Sequence, residues 1–199
     1  MKNKTIEYYN SNSAEYFSNT VNVNMEENYK YFISYLKPGS KVLDFGCGSG
    51  RDIKYFNNMG YETYGVDGSE KLCELAVGYT GSHNIRCADF LTYNEKNKYD
   101  GIWACASLLH LDNKELKTVI RRLIDACVHQ GVIYASFKYG DYSGIRDNRY
   151  YTDMNEDKLN DLIDLYNEIS IADIWKSKDQ LGNRGDIVWL NVILRVEKQ

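Results

Sequence analysis

The stretch Val42–Asp52, VLDFGCGSGRD, combines the residue types that bind a small ligand at the end of a strand. An apolar run contains Asp44, and Gly46, Gly48 and Gly50 follow at every second position. Glycines at this spacing let the backbone turn tightly and approach a ligand closely, because no Cβ stands in the way. A carboxylate beside such a bare backbone favours a ligand that carries a positive charge. On the glycines alone, the alternative is a turn that binds nothing.

The same stretch argues against a dinucleotide as this ligand. The dinucleotide fingerprint requires a small third residue where this chain has Arg51. A pyrophosphate beside the carboxylate of Asp44 is also disfavoured by electrostatics. S-adenosylmethionine, which carries an α-amino group and a sulfonium, suits an acidic strand end better. We interpret Asp52 as no more than a favourable charge at the start of the following helix.

Further acidic residues stand where the neighbouring strands are predicted to end. Asp67 closes TYGVD about 20 residues after Gly46 and is placed to bind two ribose hydroxyls. Alternatively, it caps the helix that opens at Ser69. Asp89 and Phe90 end the third strand, where they could accept a hydrogen bond from an adenine amino group and cover the base.

Strand and helix patterns alternate along most of the chain. The predicted strands are KVLDFG, YETYGVD, NIRCADF, YDGIWACAS, GVIYASF, EISIADIWKSKD and DIVWLNVILRVE. Helices are predicted over about 5–17, 25–36, 51–58, from Ser69 onward, 112–128 with a capping box of Asp112 and Glu115, and 156–166. Only QLGNRG separates the last two strands, so they should form an antiparallel hairpin. The pattern predicts an α/β fold with a doubly wound, seven-stranded, mainly parallel sheet and helices on both faces.

The composition restricts the class of protein. The chain has 199 residues, of which 43% are hydrophobic, and a net charge of -4, which favours one globular domain over a basic nucleic-acid-binding module. No apolar run reaches the roughly 18 to 20 residues of a membrane span, and no signal segment opens the chain, so we expect a cytoplasmic protein. The five cysteines are scattered and should be reduced, and cysteines and histidines lack metal-site spacing.

Taken in order, these motifs resemble the class I S-adenosylmethionine-dependent methyltransferases over about residues 41–138. The matching segments are VLDFGCGSG, GVD, ADF, YDGIWACASLLHL and GVIYASFK. The C-terminal part, from DNRYYTDMNEDKL to DIVWLNVILR, resembles the small bacterial methyltransferases described as tellurite-resistance-like. The resemblance implies a Rossmann-like fold, S-adenosyl-L-methionine as cofactor, and methyl transfer to an oxygen or nitrogen of a small molecule.

The resemblance also assigns residues to the cofactor, with the carbonyl of Ala104 facing its amine and Ser107 and Leu108 on the methyl-transfer side. We predict that the cofactor-binding residues are Tyr16, Asp44, Gly46, Cys47, Gly48, Arg51, Asp67, Gly68, Asp89, Phe90, Ala104, Ser107 and Leu108. His110, just past the fourth strand, is the candidate general base. Its alternative role is packing on the wall of the site.

The segment KYGDYSGIRDNRYYTDM is too long for a simple connection and is expected to lie over the cleft. In it we predict an anion-binding group and an aromatic wall for the acceptor, made of Lys138, Arg146, Arg149, Tyr139, Tyr150 and Tyr151. A solvated loop with ordinary ion pairs is the alternative. We divide the single expected domain into an N-terminal helical lid with several tyrosines (1–38), a cofactor-binding core (39–136) and a substrate-side insertion with the C-terminal hairpin (137–199).

The sequence also bears on several other functions. The chain has no Asn-Pro-Pro-Tyr motif after the fourth strand and no Pro-Cys nucleophile, which argues against a base-flipping DNA methyltransferase. An RNA methyltransferase and a cofactor-binding protein without turnover remain open, and a nicotinamide oxidoreductase is more distant. We expect a small-molecule acceptor, no membrane or metal, and a monomer or homodimer.

Overall fold

The computed structural model describes residues 2–181 and 186–198. In chain order the elements are α1 Lys2–Ser11, α2 Ser13–Thr20, α3 Glu26–Ile33, β1 Lys41–Phe45, α4 Arg51–Asn58, β2 Glu62–Asp67, α5 Glu70–Thr80, β3 Ile85–Cys87, β4 Tyr99–Ala104, α6 Asn113–Ala126, β5 Cys127–Lys138, β6 Ser143–Arg146, β7 Arg149–Thr152, α7 Glu156–Ile163, β8 Ile169–Lys178 and β9 Val188–Val196. Short 3-10 turns cover Phe90–Thr92 and Leu108–His110. The connection QLGNRG lies partly outside the described residues.

The strands build one seven-stranded sheet in the described part of the chain, in the order β3-β2-β1-β4-β5-β9-β8. Strands β1 to β5 are parallel to one another, whereas β9 is antiparallel to both β5 and β8. This confirms the predicted α/β fold and its C-terminal hairpin. The strand order reverses between β1 and β4, so a crevice opens there at the carboxyl ends of the strands.

Two apolar clusters cover the two faces of the sheet. On one face, the predicted stripe of α6 is buried at Leu116, Val119, Ile120, Leu123 and Ile124, and it packs with residues of α7. The other face is largely aromatic and brings α3 and α4 onto the central strands through Tyr29, Phe32, Phe56, Trp103 and Tyr134. Helices therefore lie on both faces, as expected. The predicted capping box is also present, at the start of α6.

Two segments differ from the sequence prediction. The first predicted helix is two helices, because the chain bends at Asn12, whose side chain donates to the carbonyl of Tyr8. Asparagine and serine favour such local bonds over a helix interior. The segment expected to lie over the cleft as a loop contains a second, two-stranded sheet of β6 and β7. Its turn residues Asp147 and Asn148 both have positive φ, as a two-residue hairpin turn of this hand requires.

The structure also bears on membrane and metal sites. No helix within residues 2–181 and 186–198 is long and apolar enough to cross a bilayer. In those same ranges, no three histidine, cysteine or carboxylate side chains are grouped so as to hold a metal ion.

Candidate active site

Two cavities lie side by side in the crevice at the carboxyl ends of the strands. The first is lined by the glycine loop after β1, the ends of β2 and β3, and helix α1. The second lies toward β5, β9 and the β6–β7 hairpin. Tyr9, Tyr16, Ala106 and His110 line both cavities. A molecule in one cavity can therefore meet a molecule in the other at these four residues.

The glycine loop leaves no room for side chains on its ligand side. Gly46 has a φ of +92°, and a Cβ added there would lie 2.3 Å from the Cβ of Ser107. At Gly48, where φ is +49°, an added Cβ would lie 3.1 Å from the ring of Tyr16. A β-carbon is therefore excluded at Gly46, and at Gly48 it would strain the backbone and displace the Tyr16 ring. The backbone of both glycines borders the first cavity.

Asp67 organises the floor of the first cavity. Its two carboxylate oxygens accept hydrogen bonds from the backbone N–H groups of Gly48, at 2.9 Å, and Ser69, at 2.8 Å. Burial raises the pKa of Asp67, while the backbone donors act in the opposite direction. The N-cap of α5 is Ser69, whose hydroxyl accepts from the backbone N–H of Leu72. Asp67 is therefore not the cap residue, and it is left facing the cavity.

The residues after β3 line the same cavity. Asp89 accepts a hydrogen bond from the backbone N–H of Leu91 at 2.7 Å and starts a 3-10 turn. Phe90 lies against Phe45, with 4.1 Å between ring centroids, and borders the cavity. The order Gly48, Asp67, Asp89 across adjacent strands brings the three sequence motifs to one cavity.

Asp44 lies beneath the glycine loop with an unsatisfied oxygen. Its side chain is 2% exposed, and its Oδ2 atom has no hydrogen-bond partner within the described residues. Burial raises the pKa of Asp44, and repulsion from Asp52 raises it further. A buried carboxylate oxygen without a donor is costly, so this position suits a ligand that brings a donor or a positive charge. The amino group of S-adenosylmethionine meets that requirement.

A neutral side chain at this position should make the unliganded protein more stable. We expect Asp44→Asn to raise the free energy of unfolding at pH 7 by about 1 kcal/mol, because the amide keeps the shape and removes a buried charge. The same variant should bind S-adenosylhomocysteine more weakly than the wild type. Thermal unfolding and calorimetric titration measure the two effects, and a variant that loses stability would contradict the role given to the unpaired oxygen.

Asp52 corrects the sequence interpretation, in which it was only a charge at a helix start. It is 6% exposed and accepts hydrogen bonds from Tyr29, from Arg51 (2.6 and 2.9 Å) and from the indole of Trp103 (2.9 Å). Arg51 holds the pKa of Asp52 below its usual value despite the burial. In sequence, the aromatic partners lie far from Asp52, so no local pattern could have shown this role.

The ion pair between Arg51 and Asp52 places Arg51 away from its predicted position at the cofactor. Arg51 was predicted at the cofactor, but its side chain lines the second cavity and not the first. Two hydrogen bonds to Asp52 fix the guanidinium of Arg51 near Cys105. The distance from the guanidinium Nη2 nitrogen to Sγ of Cys105 is 4.0 Å. Four further predicted contacts, Asp44, Cys47, Ala104 and Leu108, are buried and line neither cavity.

Helix α1 forms the roof over both cavities. Asn10 accepts a hydrogen bond from the Ser69 hydroxyl at 2.7 Å, which ties the helix to the start of α5. At the other side, the hydroxyl of Thr5 accepts from the backbone N–H of Tyr150 at 3.1 Å. The rings of Tyr9 and Tyr16 meet edge to face, 5.1 Å apart, at the boundary between the cavities. Helix α1 and Tyr16 of α2 therefore lie over the crevice.

His110 is fixed by a hydrogen bond at each ring nitrogen. Nδ1 lies 2.7 Å from the carbonyl oxygen of Tyr150, and Nε2 lies 2.8 Å from the hydroxyl of Tyr9. A carbonyl only accepts, so Nδ1 carries the proton and the Nε2 lone pair accepts from the Tyr9 hydroxyl. Burial lowers the pKa of His110 to about 4, with repulsion from Arg149 and Lys138 adding to it. The imidazole is neutral at pH 7 and points a basic nitrogen toward the boundary.

The residues predicted to bind the acceptor divide into two groups. Lys138, Arg149 and Tyr151 line the second cavity. The other three do not line it. Arg146 forms an ion pair with the buried carboxylate of Asp153, and Tyr139 is 40% exposed on the surface. Tyr150 contributes only backbone hydrogen bonds, to His110 and Thr5.

Sequence reasoning missed the floor of the second cavity. Tyr134, Ser136, Trp189 and Asn191 line it, and the hydroxyl of Tyr134 donates to the side-chain oxygen of Asn191 at 2.8 Å. Ala106 at the boundary has a φ of +51°, and its N–H donates to Ser136. The polar residues within the apolar strands β5 and β9 were the available signal, because a buried serine or asparagine needs a partner.

Comparisons with known proteins agree with this arrangement. Residues 42–131 match a family model described as a methyltransferase domain. Phosphoethanolamine N-methyltransferase 1 of Arabidopsis thaliana is 34% identical over 85 residues, and phosphoethanolamine N-methyltransferase 3 of the same plant is 36% identical over 86 residues. Each match covers 40% of this chain and only 17% of the relative, so the chain spans about a sixth of the length of these curated relatives.

Solved structures share the fold along nearly the whole chain. One is a Burkholderia thailandensis 1,6-didemethyltoxoflavin-N1-methyltransferase with bound 1,6-didemethyltoxoflavin and S-adenosylhomocysteine, at a TM-score of 0.80 and 18% identity, covering 99% of this chain and 89% of that one. Another is the N-methyltransferase NodS of Bradyrhizobium japonicum with S-adenosylhomocysteine, at 0.72 and 14%, covering 95% and 98%. The [4+2]-cyclase SpnF matches at 0.72 and 15%, covering 97% and 95%.

The family match falls on β1 to the start of β5, the part that holds the glycine loop and the acidic strand ends. The chain therefore contains a methyltransferase domain match over residues 42–131, and its described residues have the Rossmann-like fold of the S-adenosylmethionine-dependent methyltransferases.

Proposed function

We propose that the protein is an enzyme that transfers a methyl group from S-adenosyl-L-methionine to an oxygen or nitrogen of a small molecule. The observation that carries the proposal is the pair of cavities that meet at Tyr9, Tyr16, Ala106 and His110. The first has the glycine loop and acidic strand ends that suit the cofactor, and the second has polar and aromatic lining residues that suit a small acceptor. Curated relatives and solved neighbours that are N-methyltransferases support it.

We assign the two ends of the cofactor to different residues. The amino acid end belongs beside Asp44 and the backbone of Gly46 and Gly48, because the unsatisfied Asp44 oxygen needs a donor. The nucleoside belongs between Asp67 and Phe90, where a carboxylate can accept from ribose hydroxyls and an aromatic ring can cover the base. When bound, the cofactor supplies a methyl group that its sulfonium already activates.

The residues of the chain then contribute alignment, exclusion of water and, for an acceptor that carries a proton, a base. Alignment of two reactants is worth a large part of a barrier, with effective molarities of about 10⁵ M or more. Helix α1 covers the boundary where the two molecules meet. In our mechanism the acceptor gives its proton to the Tyr9 oxygen while the Tyr9 hydroxyl gives its own to Nε2 of His110, which leaves a neutral tyrosine and an imidazolium.

Removal of the Asp67 carboxylate tests the cofactor assignment. We expect Asp67→Ala to weaken S-adenosylhomocysteine binding by about 1 to 3 kcal/mol, because charge-assisted bonds to the ribose are lost and Gly48 loses its acceptor. Asp67→Asn keeps the shape of the side chain and part of its hydrogen bonding, so its affinity for S-adenosylhomocysteine should lie between those of the wild type and Asp67→Ala. Calorimetric titration measures the affinities, with Glu74→Ala on the exposed face of α5 as control. Wild-type protein that binds neither S-adenosylmethionine nor S-adenosylhomocysteine would rule out the proposed function.

A second candidate is a protein that binds the cofactor without methyl transfer. The observation in its favour is that a solved neighbour with this fold is described as a [4+2]-cyclase. A screen of amine, phenol and carboxylate acceptors separates the two, because only a methyltransferase converts S-adenosylmethionine to S-adenosylhomocysteine in an acceptor-dependent way. An RNA acceptor would instead give binding that weakens steeply with salt.

The finer assignments follow the sequence prediction. We place the protein in the cytoplasm as a monomer or homodimer, and we group it with the tellurite-resistance-like methyltransferases on its C-terminal motifs alone. The three-part division at residues 38 and 136 separates the lid, the cofactor-binding core and the acceptor side.

A further inference from the structure

Three positively charged side chains converge on the ring of Tyr151. Lys138 Nζ lies 4.2 Å from the ring centroid, and the guanidinium carbons of Arg146 and Arg149 lie 5.3 and 5.5 Å from it. Tyr151 lies on β7 and is only 5% exposed, so the three cations surround a buried ring of the β6–β7 hairpin. Like charges this close repel one another in a partly desolvated site unless an anion lies among them.

The two arginines of this cluster differ in their partners. Arg146 forms an ion pair with Asp153. Arg149 forms no ion pair within the described ranges, and its buried Nε atom has no hydrogen-bond partner there. The guanidinium packs 4.3 Å from the ring of Tyr8 and has a side-chain hydrogen bond to Tyr9. A guanidinium with a buried, unused donor is a group that binds an oxyanion well, because its planar donors match carboxylate and phosphate oxygens.

The same charges act on the candidate base. His110 lies 4.9 Å from Tyr151, measured between ring centroids, and faces Tyr9 on α1, Arg149 and Tyr151 on β7, and Lys138 on β5. The two cations both lower the pKa of His110. An anion placed between them would offset that repulsion and make His110 a stronger base at the moment the acceptor is bound.

We propose that Arg149 and Lys138 bind an anionic group of the methyl acceptor, a carboxylate or a phosphate, at the hairpin end of the second cavity. This rests on the proposed function, since it names the class of acceptor for that site. The acceptor is then a small anion whose nucleophilic atom reaches the boundary at Tyr9 and His110. Binding of the anion and activation of the base are coupled through charge, with no change of fold required.

Histidine NMR offers a direct test that does not require the acceptor. The sequence has only His83, His110 and His129, and the first and third are exposed, so they serve as internal references. In protein saturated with S-adenosylhomocysteine, we expect inorganic phosphate, acetate or both to raise the pKa of His110 by about 1 unit or more. The references should not respond. Phosphate alone, acetate alone, or both acting identifies the kind of anion.

Matched variants locate the effect. In Arg149→Gln and Lys138→Gln, we expect the apparent affinity for the active anion to fall at least about tenfold, the loss of one charge-assisted contact. The pKa of His110 should also start higher, because a repelling charge is gone. Arg86→Gln, which breaks an exposed ion pair with Glu95, should behave like the wild type. If Arg149→Gln does not fold, Arg149→Lys and Lys138→Gln supply the comparison.

The outcomes are distinguishable from failure of the proposed function. Loss of S-adenosylhomocysteine binding in the wild type is a failure of that function. Normal S-adenosylhomocysteine binding with no response of His110 to either anion overturns the anion site alone. An equal response in the wild type and in the Arg149 and Lys138 variants also overturns it.

Discussion

We expect His110→Ala to lower kcat for methyl transfer by a factor of about 10² to 10⁴, the usual contribution of a positioned general base. The physical reason is the fixed neutral imidazole, whose Nε2 lone pair takes the proton that leaves the acceptor by way of the Tyr9 hydroxyl. S-adenosylhomocysteine affinity should change little, because His110 only borders the first cavity. Initial rates with an acceptor found by screening, together with calorimetric titration, measure both quantities.

Tyr9→Phe is the matched control for this effect. It removes the hydroxyl that links the acceptor to His110 but keeps the ring that packs on Tyr16 and Tyr8. A relay predicts a loss of kcat close to that of His110→Ala, and a double variant little worse than either single one, because both residues serve one proton path. A role of His110 in packing alone predicts instead that Tyr9→Phe keeps its full rate.

The pH dependence of the rate should follow the protonation of His110. The base acts in its neutral form, so kcat/KM should rise as pH increases through the pKa of His110, about 4, and be flat from pH 6 to 8. An anionic group on the bound acceptor would raise the pKa of His110, so the rise of kcat with pH should have its midpoint at higher pH than the rise of kcat/KM. A His110→Ala variant with a rate within about twofold of the wild type would show that the nucleophile needs no base.

We expect Asp52→Ala to lower the free energy of unfolding by about 3 to 5 kcal/mol, as is typical when one partner of a buried ion pair is removed. The change leaves the buried guanidinium of Arg51 without its carboxylate and removes the acceptor of Tyr29 and Trp103. Denaturant unfolding measures it. Glu95→Ala, which breaks partly exposed pairs with Arg86 and Lys98, should cost only about 0 to 1 kcal/mol.

The pH dependence of this contribution follows from the direction of the pKa shift. The pKa of Asp52 is lower in the folded than in the unfolded protein. The unfolded carboxylate titrates near pH 4, so the stabilisation is complete above that pH and is lost as pH falls toward the folded value. The difference in stability between wild type and Asp52→Ala should therefore shrink in acid. A constant difference from pH 7 to pH 3 would assign the loss to packing instead.

The sequence alone identified what depends on local pattern. Strands and helices follow from periodicity over a few residues, and the glycines and Asp67 stand at strand ends whose meeting point is dictated by parallel pairing. The glycine loop, Asp67 and Asp89 therefore line one cavity. The sequence did not predict the bend at Asn12 or the hairpin of β6 and β7, because short polar segments have only weak secondary-structure patterns.

Tertiary structure decided which side chains are paired and which are available. Asp52 and Asp44 look alike in sequence, yet one is held by Arg51 and two aromatic donors while the other keeps an unsatisfied oxygen. Arg146 and Arg149 stand three residues apart, yet Asp153 pairs with the first and leaves the second facing the cavity. Partners distant in the chain set desolvation and charge, and a one-dimensional pattern records neither.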